Sequence, residues 1–457
     1  MLGGNFPPTP MMRELSRTLA LPVYIPSFLQ AAGQMAITVL LPVYVLSLGE
    51  HPAAASAVVG LWGVGSLVAN LPAGVLVSRH GDKFVMLLAL AMGLIAGVGI
   101  ALSHDLLLLA ALTFLFGASG GAWLLARLSF MTEAAPPAKR GRAISLLGGV
   151  QRLGGFVGPA ACGWLATAHG FEVAFLAASA AVLAGLVLVW QHTRGVRPGW
   201  TMDRTPGDAL PASAVPGREG QAALPPVDVP GSIARPAFAE TALEGTAILE
   251  TAVAAAARPG LASQWFVLRS HRRVFATAGL AVVAIALVRS AYSLLIPLWG
   301  THIGLDAAQV GLLFSLLSGI DMLLFYPVGI VMDRWGRKWV GIPCLLGLAA
   351  SLALLPFTGT FSALAAVALL CGFANGLGSG IVMTMGSDFA PATRRGEFLG
   401  VWRSLADIGT VGAPFITTLL SATSGLRGAC LATAVVGIAG AFVMAFAFDE
   451  PLKRGPA

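Results

Sequence analysis

Gly74-Val75-Leu76-Val77-Ser78-Arg79-His80-Gly81-Asp82-Lys83 returns 255 residues later as Gly329-Ile330-Val331-Met332-Asp333-Arg334-Trp335-Gly336-Arg337-Lys338. Both copies close one apolar run, turn on a glycine among basic residues, and open the next apolar run. The same offset pairs Pro42 with Pro297, Gly49 with Gly304, Gly117 with Gly372, Arg140 with Arg395 and Pro159 with Pro414 without a gap. Two homologous apolar halves are the pattern of carriers assembled from repeats, with the binding site between them.

Of 457 residues, 56% are hydrophobic and 11% charged, against roughly a quarter charged in soluble domains. So much apolar surface needs lipid as solvent. Stretches near the roughly 20 residues that cross a bilayer run near 19–48, 53–78, 84–103, 106–131, 141–168 and 171–192. They resume near 274–303, 307–332, 338–358, 361–388, 396–423 and 427–448. The expected fold is an all-α membrane protein of twelve transmembrane helices in two pseudo-symmetric six-helix bundles, residues 1–192 and 273–457. Residues 193–272, rich in Pro, Gly and Ala, read as a flexible cytoplasmic linker, with a helix conceivable over 237–257.

The net charge of +7 lies in short loops rather than on one amphipathic face, which argues against a nucleic-acid partner. Arg13, Arg17, Arg79, Lys83, Arg140, Arg142, Arg334, Arg337, Arg394 and Lys453 all fall on one side, so both termini are expected in the cytoplasm. The first eighteen residues have no cleavable apolar core, and with the short loops this suggests a bacterial inner membrane. Cys162, Cys344, Cys371 and Cys430 lie singly inside apolar runs, and the histidines show no zinc spacing. No phosphate-binding Gly-rich loop ending in Lys-Ser/Thr and no catalytic triad is visible. Neither an enzyme nor an ATP-driven pump is expected, and no cofactor or metal.

The loop Gly329-x-x-x-Asp333-Arg334-x-Gly336-Arg337-Lys338 resembles the loop motif of the major facilitator superfamily, and the likeness covers both halves. The first glycine of each copy, Gly74 and Gly329, is expected to let helices approach, and Gly81 and Gly336 to permit a tight turn. The resemblance implies a cytoplasmic gate in which Arg79 sits near Glu133 with Arg142 beside it, and Arg334 near Asp388. Ser78 stands where the family usually has an acid. Gly154-x-x-x-Gly158-Pro159-x-x-Cys162-Gly163 resembles the motif of bacterial drug/proton antiporter-like exporters, with a small-residue face for packing and a proline bend. Thr113 occupies the place of a second exporter mark, an arginine.

Ionisable side chains at membrane depth are candidates for function. At 1.5 Å per residue, Asp321 lies about 18 Å from Asp333 and Asp407 about 18 Å from Arg395, near the midplane. Arg152 aligns with Asp407 through the repeat, and Arg289 with Gln34. Arg127, about 9 Å from Glu133, is expected to snorkel to the surface. The family's packing brings spans five and eight together, which makes Arg152 and Asp321 candidate partners, and Arg403 and Asp407 can pair four residues apart. Asp321 or Asp407 is the expected proton carrier. Arg152, Arg289, Arg403, Gln34 and Arg127 are the expected substrate or charge-pair residues. Gln30, Gln151, Asn70, Tyr292 and Asn375 are candidate cavity polar groups, with Trp123, Phe130 and Trp402 as candidate stacking surfaces. Three arginines against two acids favour an anionic or zwitterionic substrate. The expected protein is a functional monomer that exports small organic compounds by alternating access in exchange for protons. An uptake symporter for an organic anion and a lipid flippase are the alternatives.

Overall fold

The structure, a computed structural model, describes residues 20–134, 140–193, 261–391, 394–448 and 450. The first half comprises α1 (Ile25–Ser47), α2 (Pro52–His80), α3 (Asp82–Leu102), α4 (Leu106–Ala134), α5 (Arg140–His169) and α6 (Phe171–His192). After α7 (Leu261–Ser270), the second half comprises α8 (Leu280–His302), α9 (Ala307–Trp335), α10 (Lys338–Leu354), α11 (Phe361–Leu377) and α12 (Ile381–Phe389). A last helical run, Arg395–Phe446, breaks at Gly425 into α13 (395–424) and α14 (426–446).

The repeat in the sequence extends to the backbone. The bounds of α1 and α2 match those of α8 and α9 at the 255-residue offset, and so do the π-helical turns Ala20–Tyr24 and Phe275–Gly279 that precede them. Positive φ recurs at the same offset: 87° and 85° at Gly49 and Gly304, 81° and 103° at Gly81 and Gly336, 91° and 70° at Gly170 and Gly425. One positive-φ glycine among the described residues has no such partner. Gly380 (φ 80°) breaks the second half between α11 and α12, where α4 runs through Leu125 without interruption.

Ten helical segments among the described residues are long and apolar enough to cross a membrane. One of them, Glu397–Phe446, has 50 residues and folds back at Gly425, so it supplies two crossings. The other addition is α5, made less apolar by Arg140, Arg142, Gln151 and Arg152 but packed between α1 and α9. Twelve crossings result among the described residues.

The halves meet unevenly. A Cβ on Gly163 of α5 would lie 2.5 Å from the Ala307 carbonyl of α9, and one on Gly311 would collide with the Pro159 carbonyl. Gly60 and Gly63 of α2 likewise press on Pro414 and Val411 of α13, at 3.0 and 3.3 Å. Towards the ends that carry the basic loops, Gly74, Gly148, Gly329 and Gly400 of these same four helices meet nothing within 4 Å. The two halves are sealed at one end and parted at the basic end. The close approach expected of Gly74 and Gly329 is therefore absent here, because both line the parted side.

Part of the expected linker is ordered. Within 193–272, α7 docks on the second half, with Val267 only 1% exposed in a cluster with Phe275, Phe398 and Trp402. The His271 ring meets Phe398 edge-on, and the Arg394 guanidinium sits 4.6 Å from the centre of the Phe266 ring. The helix considered over 237–257 lies outside the described residues.

Candidate functional site: a polar cleft between the halves

α5 and α9 pack along their lengths, which brings Arg152 of the first half onto Asp321 of the second, where they form an ion pair. The Asp321 carboxylate also accepts from Asn375 Nδ2 at 3.0 Å and Ser379 Oγ at 3.2 Å. Arg152 reaches Ser379 Oγ at 3.3 Å and lies 4.7 Å above the Phe325 ring. Three donors on one carboxylate compensate much of the cost of burying it, and removing one member of such a pair leaves an uncompensated charge.

The break between α11 and α12 makes part of this possible. It places Ser379 beside Asp321 and ends α11 so that the Asn375 carbonyl faces Arg289, whose NH2 donates to it at 2.9 Å. A cation at a helix C-terminus is favourably placed. Gly378 is needed for this approach: a Cβ there would sit 2.5 Å from Arg289.

Across the cleft, Arg403 and Asp407 pair along one face of α13 at 3.1 Å. They border a lobe of about 190 Å³ whose remaining wall includes Gln30, Gln34, Trp62, Asn70, Trp123 and Gln151. A neighbouring lobe of about 380 Å³ shares Gln30, Gln34 and Gln151 and ends on Arg152, Ser318 and Asp321. Gln30 donates to Gln34 within this wall. A larger hollow of about 540 Å³ lies at the sealed end of the second half, remote from both carboxylates. Among the described residues, no cluster of His, Cys, Asp and Glu is arranged to hold a metal.

Several expected residues take other places. Arg127 does not snorkel: it is 1% exposed, and its guanidinium lies 5.7 Å from the Trp123 ring. Trp402 donates to the Val382 carbonyl and stacks on Phe398, while Phe130 is packed in the first-half core. Neither offers a stacking surface. Tyr292 is half-buried against the core shared by the two halves. Trp62, which the sequence reading passed over, is a cleft residue. Gly154 and Gly158 press on Phe28, Ala31 and Ala32 of α1, and the Pro159 carbonyl presses on Gly311.

At the basic end, Asp388 is held by Arg337, with Nε–Oδ2 at 2.7 Å and NH2–Oδ1 at 3.2 Å, and Arg334 is exposed. The expected Arg334–Asp388 contact is replaced because Gly336 turns the chain, and Arg337 folds back to donate to the Met332 carbonyl as well. Glu450 completes the arrangement by accepting from the Arg337 and Lys338 amides, each at 3.0 Å. A carboxylate there satisfies helix-start donors and complements the dipole of α10. Asp333 is half-buried. In the first half, Arg79 is exposed and Lys83 half-buried, while Ser78 Oγ donates to its own helix at Val75. The side chains of Glu133 and Arg142 lie outside the described residues.

Twelve crossings in two repeated halves, parted by a polar cleft, define a membrane carrier. The sequence matches the Major Facilitator Superfamily over residues 23–278 and 278–457, and the chain belongs to that family. It is similar to an uncharacterized MFS-type transporter, YfkF, of Bacillus subtilis (strain 168), with 26% identity over 141 residues. That match spans 31% of this chain and 36% of the relative's length. Its backbone is similar to the crystal structure of a POT family transporter in complex with a thioalcohol-conjugated peptide, with TM-score 0.68 and 13% identity. The superposition covers 94% of this chain and 95% of that one, a likeness of fold.

Proposed function

We propose that the protein is a proton-coupled exporter of small organic compounds in which Asp321 carries the proton. The observation that carries this reading is the Arg152–Asp321 pair, one partner in each half, on the wall of the cleft. With the basic loops in the cytoplasm, the parted end faces inward and the cleft loads substrate from the cytoplasm. In that state both cleft carboxylates are paired with arginines. Rocking of the halves opens the opposite end, and a proton taken up by Asp321 there frees Arg152. With Asp321 neutral the halves are free to rock back, and release of the proton to the cytoplasm re-forms the pair, which favours the inward-facing state. Asp407 has its arginine on the same helix, so its pair makes the same contact whichever way the halves lean. The antiporter-like segment of α5 supports export, since Gly154, Gly158 and Gly163 are the points where α5 bears on α1 and α9.

In this reading the chain is two six-helix bundles joined by the segment over 193–272, works as a monomer in a bacterial inner membrane, and keeps both termini in the cytoplasm. The test is proton movement in reconstituted vesicles under an imposed pH gradient, with a panel of organic cations, anions and neutral compounds. Asp321→Asn abolishes substrate-evoked proton movement while Asp407→Asn retains it. Equal behaviour of Asp321→Asn and wild type removes Asp321 as the carrier, and substrate accumulation with the proton rather than against it reverses the direction.

A further inference from the structure

Arg427 breaks the charge pattern of the loops. None of the six turns at the sealed end carries Lys or Arg, and Arg427, two residues past the Gly425 corner, is the one such cation beside them. Lys and Arg are ordinarily kept to the opposite side of the membrane. The Arg427 side chain is exposed and makes no ion pair or hydrogen bond among the described residues.

The first half shows the same corner filled. At the 255-residue offset Arg427 aligns with Glu172, Gly359 with His104, Leu426 with Phe171 and Cys430 with Phe175. His104 Nε2 lies 3.4 Å from Glu172 Oε1. The Tyr44 ring is enclosed by His104, Phe171 and Phe175, at 6.5, 5.4 and 5.5 Å between ring centres. The second half keeps the scaffold bond: Tyr44 donates to the Ser103 carbonyl, and its counterpart Trp299 to that of Thr358. It does not keep the filling. Smaller side chains stand at all three ring positions. The corner holds a hollow of about 540 Å³ instead, walled by Trp299, His302, Phe357, Gly359, Arg427 and Leu431 among others. Charge reversal and the loss of three rings fall on one corner.

That hollow borders the surface turned to lipid. Leu431 begins an exposed apolar stripe on α14 that continues through Val435, Ile438 and Phe442 at helical spacing. α10 runs beside it, packed at Gly437, where a Cβ would lie 2.9 Å from Ala349. The exposed Leu346 and Leu354 of α10 lead to Phe357 on the wall of the hollow. An amphiphile with its charge at Arg427 would lay hydrocarbon along both helices, and a cation at the membrane surface attracts anionic headgroups. A water-soluble anion would meet Arg427 but leave the apolar walls unused.

We propose that this corner binds an anionic phospholipid of the leaflet at the sealed end, with its phosphate at Arg427 and its acyl chains along α10 and α14. The site goes beyond the export reading and uses neither its coupling residue nor its direction, so either can fail alone. The experiment is photolabelling of the purified full-length protein in phosphatidylcholine nanodiscs. The probe is phosphatidylglycerol with a diazirine near the top of one acyl chain, and the labelled peptides are mapped by mass spectrometry.

Labelling around Phe357 and Leu431 saturates at a low mole fraction of the probe. Arg427→Gln lowers it about fivefold and leaves labelling near α7, at the basic end, unchanged. Gly359→His with Arg427→Glu, which transplants the first-half pair, lowers it at least as far. A Cβ at Gly359 meets nothing within 4 Å, and thermal unfolding of both variants reports the fold. Labelling in Arg427→Gln within twofold of wild type overturns the proposal, as does equal, saturable labelling by the matching phosphatidylcholine probe. Excess glycerol 3-phosphate leaves the labelling intact; displacement by it would assign the corner to a soluble phosphate and overturn the lipid site.

Discussion

Arg152 on α5 and Asp321 on α9 belong to different halves of the chain, and their side chains meet about midway along α9. Asp321 is 8% exposed and accepts from Asn375 and Ser379 as well, so the second half presents a fixed carboxylate to a first-half arginine. A pair placed so is the contact on which the proposed coupling between protonation and the position of the halves rests.

That coupling is open to a double-mutant cycle. Asp321→Asn keeps the shape of the side chain and leaves Arg152 without its counter-ion, and Arg152→Met does the reverse. Arg152 retains 25% of its side-chain exposure, so the loss is smaller than for a fully buried pair. Each single change is expected to cost about 1–3 kcal/mol and the double change less than the sum. Thermal unfolding in detergent measures this, and strictly additive losses would show that the two side chains do not depend on each other.

Glu450 caps α10 through two backbone amides and packs over Gly336, where a Cβ would lie 2.8 Å from its carboxyl carbon. Glu450→Gln keeps one acceptor and removes the charge that complements the helix dipole. The expected cost is about 1 kcal/mol, with faster amide exchange confined to the first turn of α10. Unchanged exchange at Arg337 and Lys338 would contradict the capping role.

Gly170 and Gly425 adopt φ of 91° and 70° with ψ of 162° and 176°, a region that side chains do not tolerate. Gly170→Ala and Gly425→Ala should each lower stability by about 1–3 kcal/mol. Gly74→Ala and Gly329→Ala meet nothing in this state and are expected to unfold at or above the wild-type temperature, since alanine favours a helix. Their effect should fall on transport, because the parted ends must close in each cycle. A Gly74→Ala protein that turns over at the wild-type rate would separate that glycine from closure.

The twofold plan was legible because the repeat fixes helix ends: Pro52 and Ala307 open equivalent helices, and Gly170 and Gly425 close equivalent corners. The Arg152–Asp321 contact followed from which spans pack together. Partner choice at a turn did not follow. Arg334 and Arg337 are almost equally far from Asp388 in sequence, and only the backbone at Gly336 decides between them. Glu450 was hidden by its distance along the chain from Lys338. Trp62 carries a signal of a different kind, asymmetry between the halves. Trp62 aligns with Leu317, Trp123 with Gly378, Ser66 with Asp321 and Gln34 with Arg289. Scaffold positions repeat, and the cleft is built where they differ.

The sealed end depends on backbone meeting backbone, and this gives the sharpest conformational prediction. Gly311 leaves no room for a Cβ against the Pro159 carbonyl, and a neighbouring bond from the Ala308 amide to Thr167 Oγ1 at 2.9 Å ties α9 to α5. Gly311→Val inserts a wedge between the halves, so the sealed end should open and the population shift away from the state in which the basic end is parted. The four native cysteines are buried, which allows a reporter thiol at Ala307→Cys, a buried position of α9 at this contact, to be read over a low background. Labelling of that thiol by a membrane-impermeant maleimide should be slow in the parent and at least tenfold faster with Gly311→Val. Such a shift corresponds to about 1.4 kcal/mol between the two states. Equal labelling rates in a folded Gly311→Val protein would mean that the α5–α9 contact is not what holds this end shut.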